Sequence, residues 1–206
     1  MAGTEKTVEF RGCRGVVIAE VITDNSEGYT TGEVMKLAPV AEISRTTETS
    51  SETKFYDNQP KFNHNAEGAD TVSLTCAVPD DEVRALIEGR VYDEELKAFI
   101  EAPRKTKFFA LGYILGEEGT EEDEIYVWKY KGTFNIADET SATKDDGTEG
   151  NNMSFEYTAV YTQHEFANGA GKGVKSTVKG MRKRKSEGAV EETFFATVTT
   201  PDTVTA

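Results

Sequence analysis

The stretch "VAEISRTTETSSETKFY", Val40 to Tyr56, decides the fold. Ala41, Ile43, Thr47 and Phe55 fall on one face of an extended chain, and Glu42, Ser44, Thr46, Glu48, Ser50 and Glu52 on the other. Alternation of period two is the signature of a strand, and a strand this long with one very polar face needs a wet surface on that side.

The same design recurs along the chain. "DTVSLTCAV" sets Val72, Leu74 and Cys76 against Thr71, Ser73 and Thr75. "IYVWKYKGTFNI" sets Tyr126, Trp128, Tyr130 and Phe134 against Lys129, Lys131 and Thr133. "NMSFEYTAVYTQHEF" sets Phe155, Tyr157 and Tyr161 against Glu156, Thr158 and Thr162. Shorter strands are predicted at 15–22, 107–115 and 193–199. One helix is signalled over 80–88: Asp80, Asp81 and Glu82 suit its first turn, Val83, Leu86 and Ile87 make the apolar stripe, and Gly89 ends it. "EELKAFIE" (94–101) reads as a short helix or a strand closed by Pro103.

Three segments read as long loops: 57–69, 138–152 and 167–188. The last contains "GAGKGVKST", whose glycines suggest a phosphate loop. That loop needs Lys and Ser/Thr directly after its last glycine, and Val174 follows Gly173 instead. The two histidines, His64 and His164, lack a metal-ligand spacing, and Cys13 and Cys76 read as reduced thiols, Cys76 in the core. "KDDGTEGNN" lacks the residue order of a calcium loop, and no G-x-S-x-G is present. No catalytic, metal or cofactor residue is expected.

The 206 residues suit one strand-rich domain, with 1–165 as its body and 166–206 as a basic, glycine-rich segment and C-terminal arm of the same unit. The net charge of -14 argues against gripping nucleic acid. No apolar run is long enough to span a bilayer, and "MAGTEKTVEFRGCRG" has no apolar signal core, so synthesis in a cytoplasm is expected. Charge is unevenly spread: "EEGTEEDE" (117–124) is almost all acid, whereas Lys172, Lys175, Lys179, Arg182, Lys183, Arg184 and Lys185 lie together without an acid among them.

The succession "SRTTETSSETKFYDNQP", "DTVSLTCAVPDDEVRALIEGRVYDEE", "KTKFFALGYILG", "EIYVWKYKGTF" and "SFEYTAVY" resembles the major tail proteins of long-tailed, non-contractile bacteriophages and prophages of Gram-positive hosts. The resemblance ends near residue 165. It implies a non-enzymatic tail tube subunit: a mainly β chain, a β-sandwich or distorted barrel with one flanking helix, assembled as stacked hexameric rings with an inner β-barrel. The implied partners are other copies of the chain, a tape-measure protein, and tail tip and terminator proteins. DNA would pass through the lumen without specific binding, and the protein would reside in the virion after synthesis in the host.

Combined with the strand pattern, this gives lumen-facing candidates Glu42, Ser44, Thr46, Glu48, Ser50, Glu52, Thr71, Ser73, Thr75, Glu156 and Thr158. Ring-stacking candidates are Phe55, Tyr56, Asp57, Asn58, Gln59, Pro60 and Phe62. For contacts between subunits, the seven cations of 172–185 are matched with Glu117, Glu118, Glu121 and Glu122. A carbohydrate-binding β-sandwich using Tyr126, Trp128 and Tyr130 as a platform, or a sandwich hydrolase with paired carboxylates, is the alternative.

Overall fold

Long alternating segments have become strands, and bulges decide which way their side chains point. The computed structural model describes residues 12–116, 123–139 and 152–204, with the backbone alone at 55, 56, 60 and 139. The chain is mainly β. Its strands are β1 (Cys13–Asn25), β2 (Gly28–Thr31), β3 (Met35–Lys36), β4 (Val40–Tyr56), β5 (Gln59–Ala77), β6 (Val91–Asp93), β7 (Ala98–Ile100), β8 (Phe109–Leu115), β9 (Ile125–Phe134), β10 (Asp138–Glu139), β11 (Asn152–Ala159) and β12 (Gly180–Arg184). Helix α1 is Asp81–Glu88, and α2, a single turn, is Glu191–Phe194.

Ten of these strands form one antiparallel sheet in the order β2-β1-β8-β9-β11-β5-β4, with β3, β10 and β12 attached beside it; β6 and β7 make a separate ribbon. β9 is the hub. One of its edges pairs with β8, while the other is divided, β12 taking Ile125–Lys129 and β11 taking Gly132–Phe134. β11 therefore ends at Ala159, and Tyr161, expected to continue its aromatic face, is instead exposed beside Lys179.

Both faces of the sheet's centre are buried. Ile18, Val72, Leu74, Leu111, Val127, Phe155 and Tyr157 form a core on the first face, which Ile87 of α1 joins and against which Val83 and Leu86 pack. Tyr126, Trp128, Tyr130, Ala19 and Ala110 form a second core on the other face, closed by Phe166, Phe194 and Val198. Side chains of this size contribute about 1.5–3 kcal/mol each when fully buried. The segment from 166 onward is thus a lid on the second core.

α1 ends where the sequence indicates. Gly89 adopts φ 66°, and a Cβ there would stand 2.1 Å from the Lys105 carbonyl oxygen. Only glycine meets both conditions.

Several expectations are corrected. Residues 59–69, read as a loop, belong to β5, and Asp57 and Asn58 alone form the turn, both at positive φ (53° and 61°) as a two-residue hairpin turn demands. Part of the 167–188 segment is β12. The 193–199 segment is not a strand: Glu191 and Glu192 open the α2 turn, and Phe194 and Val198 are buried under it and after it. Of the two readings offered for 94–101, the strand is the one found, as β7. Opposite β8, the register shifts between Phe109 and Leu111, so Phe134 joins the first core while Tyr126, Trp128 and Tyr130 join the second. Lys129 and Lys131, placed by the pattern on a wet face, are buried. Ala41 sits at a shift between Val40 and Glu42 and is exposed, not core-facing with Ile43.

Candidate assembly surface

β4 and β5 are far longer than the sheet they edge. β11 pairs with β5 only over Asp70–Ala77, so beyond Asp70 the two strands run on as a two-stranded arm. From Glu48 to the turn, β4 alone extends about 30 Å at roughly 3.3 Å per residue. Every described side chain from Glu48 to Gly68 is exposed. Within the arm, Ser51 Oγ donates to Asn63 Oδ1 (2.8 Å) and Lys61 pairs with Asp57 (3.2 Å). Those contacts hold one strand to the other and bury neither face.

The polar band expected from the sequence assembles at the base of this arm. Glu42 lies opposite Thr75, Ser44 opposite Ser73 and Thr46 opposite Thr71; Ser73 and Thr71 in turn face Glu156 and Thr158 on β11. These side chains share one sheet face, while Ile43, Val72, Leu74, Phe155 and Tyr157 pack on the other. Beyond Thr47 the register shifts by an extra residue on β5 near Gly68. Glu48, Ser50 and Glu52 follow along β4, but their partners, such as Ala66 and His64, come from the opposite alternation of β5. Glu48 lies over Gly68, where a Cβ would approach its Oε2 to 2.8 Å. Among the ring-stacking candidates, Asp57 and Asn58 form the exposed tip, Gln59 and Phe62 are exposed beside it, and the side chains of Phe55, Tyr56 and Pro60 lie outside the described set.

A buried ion cluster anchors the arm's root. The Asp70 carboxylate, 3% exposed, is bonded by Lys129, by Lys179 (3.1 Å) and, at 3.8 Å, by Arg45. Lys179 also binds Glu67 and the Gly68 carbonyl (2.9 Å). Burial opposes the charge on Asp70, yet hydrogen bonds from Lys129, Lys179 and Thr47 hold its pKa down at about 2. The same logic recurs at Lys131, which pairs with Asp24 (2.6 Å), whose carboxylate also accepts from the Gln163 and His164 amides.

The basic segment finds its acids inside the chain. Lys179 is committed to Asp70 and Glu67, Arg184 binds Asp123 (3.3 Å), and Lys185 binds Glu124 (3.1 Å). Glu124 also takes Arg14 (2.8 Å), which bridges to Glu191 (2.6 Å) and ties β1 to α2. For Lys179, Arg184 and Lys185 the expected pairing between subunits is therefore corrected: folding β12 against β9 brings the basic run to the end of the acidic one. Lys172, Lys175 and Arg182 are exposed and Lys183 is half-buried. Glu117, Glu118, Glu121 and Glu122 lie outside the described residues.

The glycine-rich turn is occupied by itself. Asn168 Oδ1 accepts from the Gly173 amide (2.8 Å), the Asn168 carbonyl accepts from Gly171, and Asp202 accepts from Ala167 and Asn168. Amides that a phosphate would need are committed. The aromatic stripe is covered: Trp128 Nε1 donates to the Phe194 carbonyl (3.0 Å) and the Tyr130 hydroxyl to the Thr199 carbonyl (3.1 Å). Cys76 is buried, and burial pushes its thiol up to about 11. Among the described residues, no cluster of His, Cys, Asp and Glu is placed to hold a metal, and no helix is long and apolar enough to cross a membrane. No protein-family model matches the chain, and no curated protein matches its sequence.

Proposed function

We propose that this chain is a tail tube subunit of the major tail protein kind, a non-enzymatic virion protein that polymerises as stacked hexameric rings into a conduit for phage DNA. The observation that carries the reading is the β4–β5 arm, which leaves both faces and both edges uncovered over its outer half. A two-stranded ribbon alone is marginal in water, and a long free edge invites another strand. Neighbouring copies supply what the arm lacks. In the proposed ring, arms pair edge to edge into an inner barrel and the sheet's body closes as the outer wall.

The polar band of Glu42, Ser44, Thr46, Thr71, Ser73, Thr75, Glu156 and Thr158 then turns to the lumen. Hydroxyls and carboxylates there repel or ignore a passing duplex, because binding DNA needs cations against its phosphates. The acidic balance of the chain supports this, and Lys129 and Lys131 are buried in ion pairs with Asp70 and Asp24 rather than presented to a lumen. The covered state of Tyr126, Trp128 and Tyr130 counts against a sugar-stacking platform. Sedimentation velocity over a concentration series, followed by negative-stain microscopy, tests the reading. Rings or tubes are expected; a monomer that stays monomeric at millimolar concentration opposes it.

A further inference from the structure

Beside the ion cluster lies a cavity of about 220 Å³ between β4, β8, β9 and β12, lined by Arg45, Tyr113, Lys129 and Arg182 with Ile43 and Met181 as its apolar walls. We propose that it is a binding site for a small oxyanion, a carboxylate or a phosphate group.

Charge and geometry support this together. Arg45, Lys129 and Lys179 share the single carboxylate of Asp70, Glu67 adds one more on Lys179, and Arg182 makes no ion pair among the described residues. Four cations thus meet two carboxylates, in a chain whose net charge is -14. Like charges gathered beside a low-dielectric wall repel strongly, and an anion from outside relieves that repulsion. Arg45 stands 3.8 Å from Asp70 and is 46% exposed, so most of its five donors remain available. Arg45, Arg182 and Tyr113 line the same cavity, and the pKa of the Tyr113 hydroxyl, pushed upward by burial, is held back by the charges of both guanidiniums. Two planar forks beside an ammonium match the oxygens of a carboxylate or phosphate. The anion comes either free from solution or on an acidic side chain of a second copy.

Thermal melts of dilute protein, in sodium phosphate and in sodium chloride at equal ionic strength, test the site independently of assembly. At about ten times the dissociation constant, phosphate should raise the Tm of the wild type by about 3 °C over chloride. The double variant R45Q/R182Q, changed at two exposed positions, should lose that rise. An equal rise in the double variant, or none in the wild type, overturns the proposal. Sedimentation at high concentration separates the sources. If a second copy supplies the carboxylate, phosphate and R45Q/R182Q each weaken association; if the anion is free, association is unchanged and the melts alone report the site.

Discussion

Replacing Asp70 by Asn tests the account of the arm's root. The substitution keeps shape and removes the carboxylate that Lys129, Lys179 and Arg45 share. Lys179 retains Glu67 and Arg45 is half in water, but Lys129 is 5% exposed and has Asp70 as its hydrogen-bond partner among the described residues. Breaking a buried pair by removing one partner costs about 3–5 kcal/mol. An upper bound comes from the lysine itself, since releasing its proton at pH 7 costs about 4.6 kcal/mol from an ordinary pKa near 10.4. A loss of about 3–4 kcal/mol is therefore expected, or roughly 6–16 °C in Tm for a chain of this size. Urea melts of the wild type, D70N, K129M and D70N/K129M measure it, and the double variant should be more stable than D70N because it leaves no buried ammonium stranded. Acid gives a second reading. Asp70 sits at about 2 against an ordinary 3.8, so its stabilisation of about 2.5 kcal/mol is full above pH 4 and disappears as pH falls through 2. A D70N loss below 1 kcal/mol, with an acid limb identical to the wild type's, would refute the reasoning.

Three other outcomes are expected. Phe194→Ala empties the ring that packs against Tyr126 and should cost about 3–5 kcal/mol in denaturant melts; a change under 1 kcal/mol would mean that the C-terminal lid is not part of the second core. Gly89→Ala forces a Cβ onto the Lys105 carbonyl at positive φ, so it should destabilise by well over 1 kcal/mol, and a neutral result in the same melts would contradict the described path of the chain after α1. Changing Glu42, Glu48 and Glu52 together to Lys alters exposed positions and should shift stability by only about 0.5 kcal/mol each. Tubes carrying the change should retain DNA at low salt in a filter-binding assay, and tubes that release it like wild type would remove the polar band from the lumen.

What could be read in the sequence was local. The polar alternation of Glu42, Ser44 and Thr46, the matching Thr71, Ser73 and Thr75, and the α1 stripe ending at Gly89 all follow from neighbouring residues, and the fold reproduces each. The hidden features depend on partners far along the chain. Lys129 and Lys131 look like surface residues until Asp70 and Asp24, 59 and 107 positions away, fold against them. β12 reads as a solvated basic run because its strand character comes from pairing with Ile125–Lys129 rather than from its own pattern. The 57–69 segment hid a strand for a different reason. Pro60 and Gly68 are poor strand residues, and the register shifts near each break the alternation that would have revealed it. The Asp57-Asn58 pair was the available sign, since those residue types tolerate the positive φ of a tight hairpin turn.

In the proposed tube, neighbouring copies complete the β4–β5 arm. A helical reconstruction of the assembled protein by electron cryomicroscopy tests it most directly. Arms paired edge to edge into a continuous inner barrel are expected, with Glu42, Ser44, Thr46, Thr71 and Ser73 turned to the lumen. An assembly in which the arm projects unpaired from the outer surface, or in which Ile43 and Val72 line the bore, would contradict it.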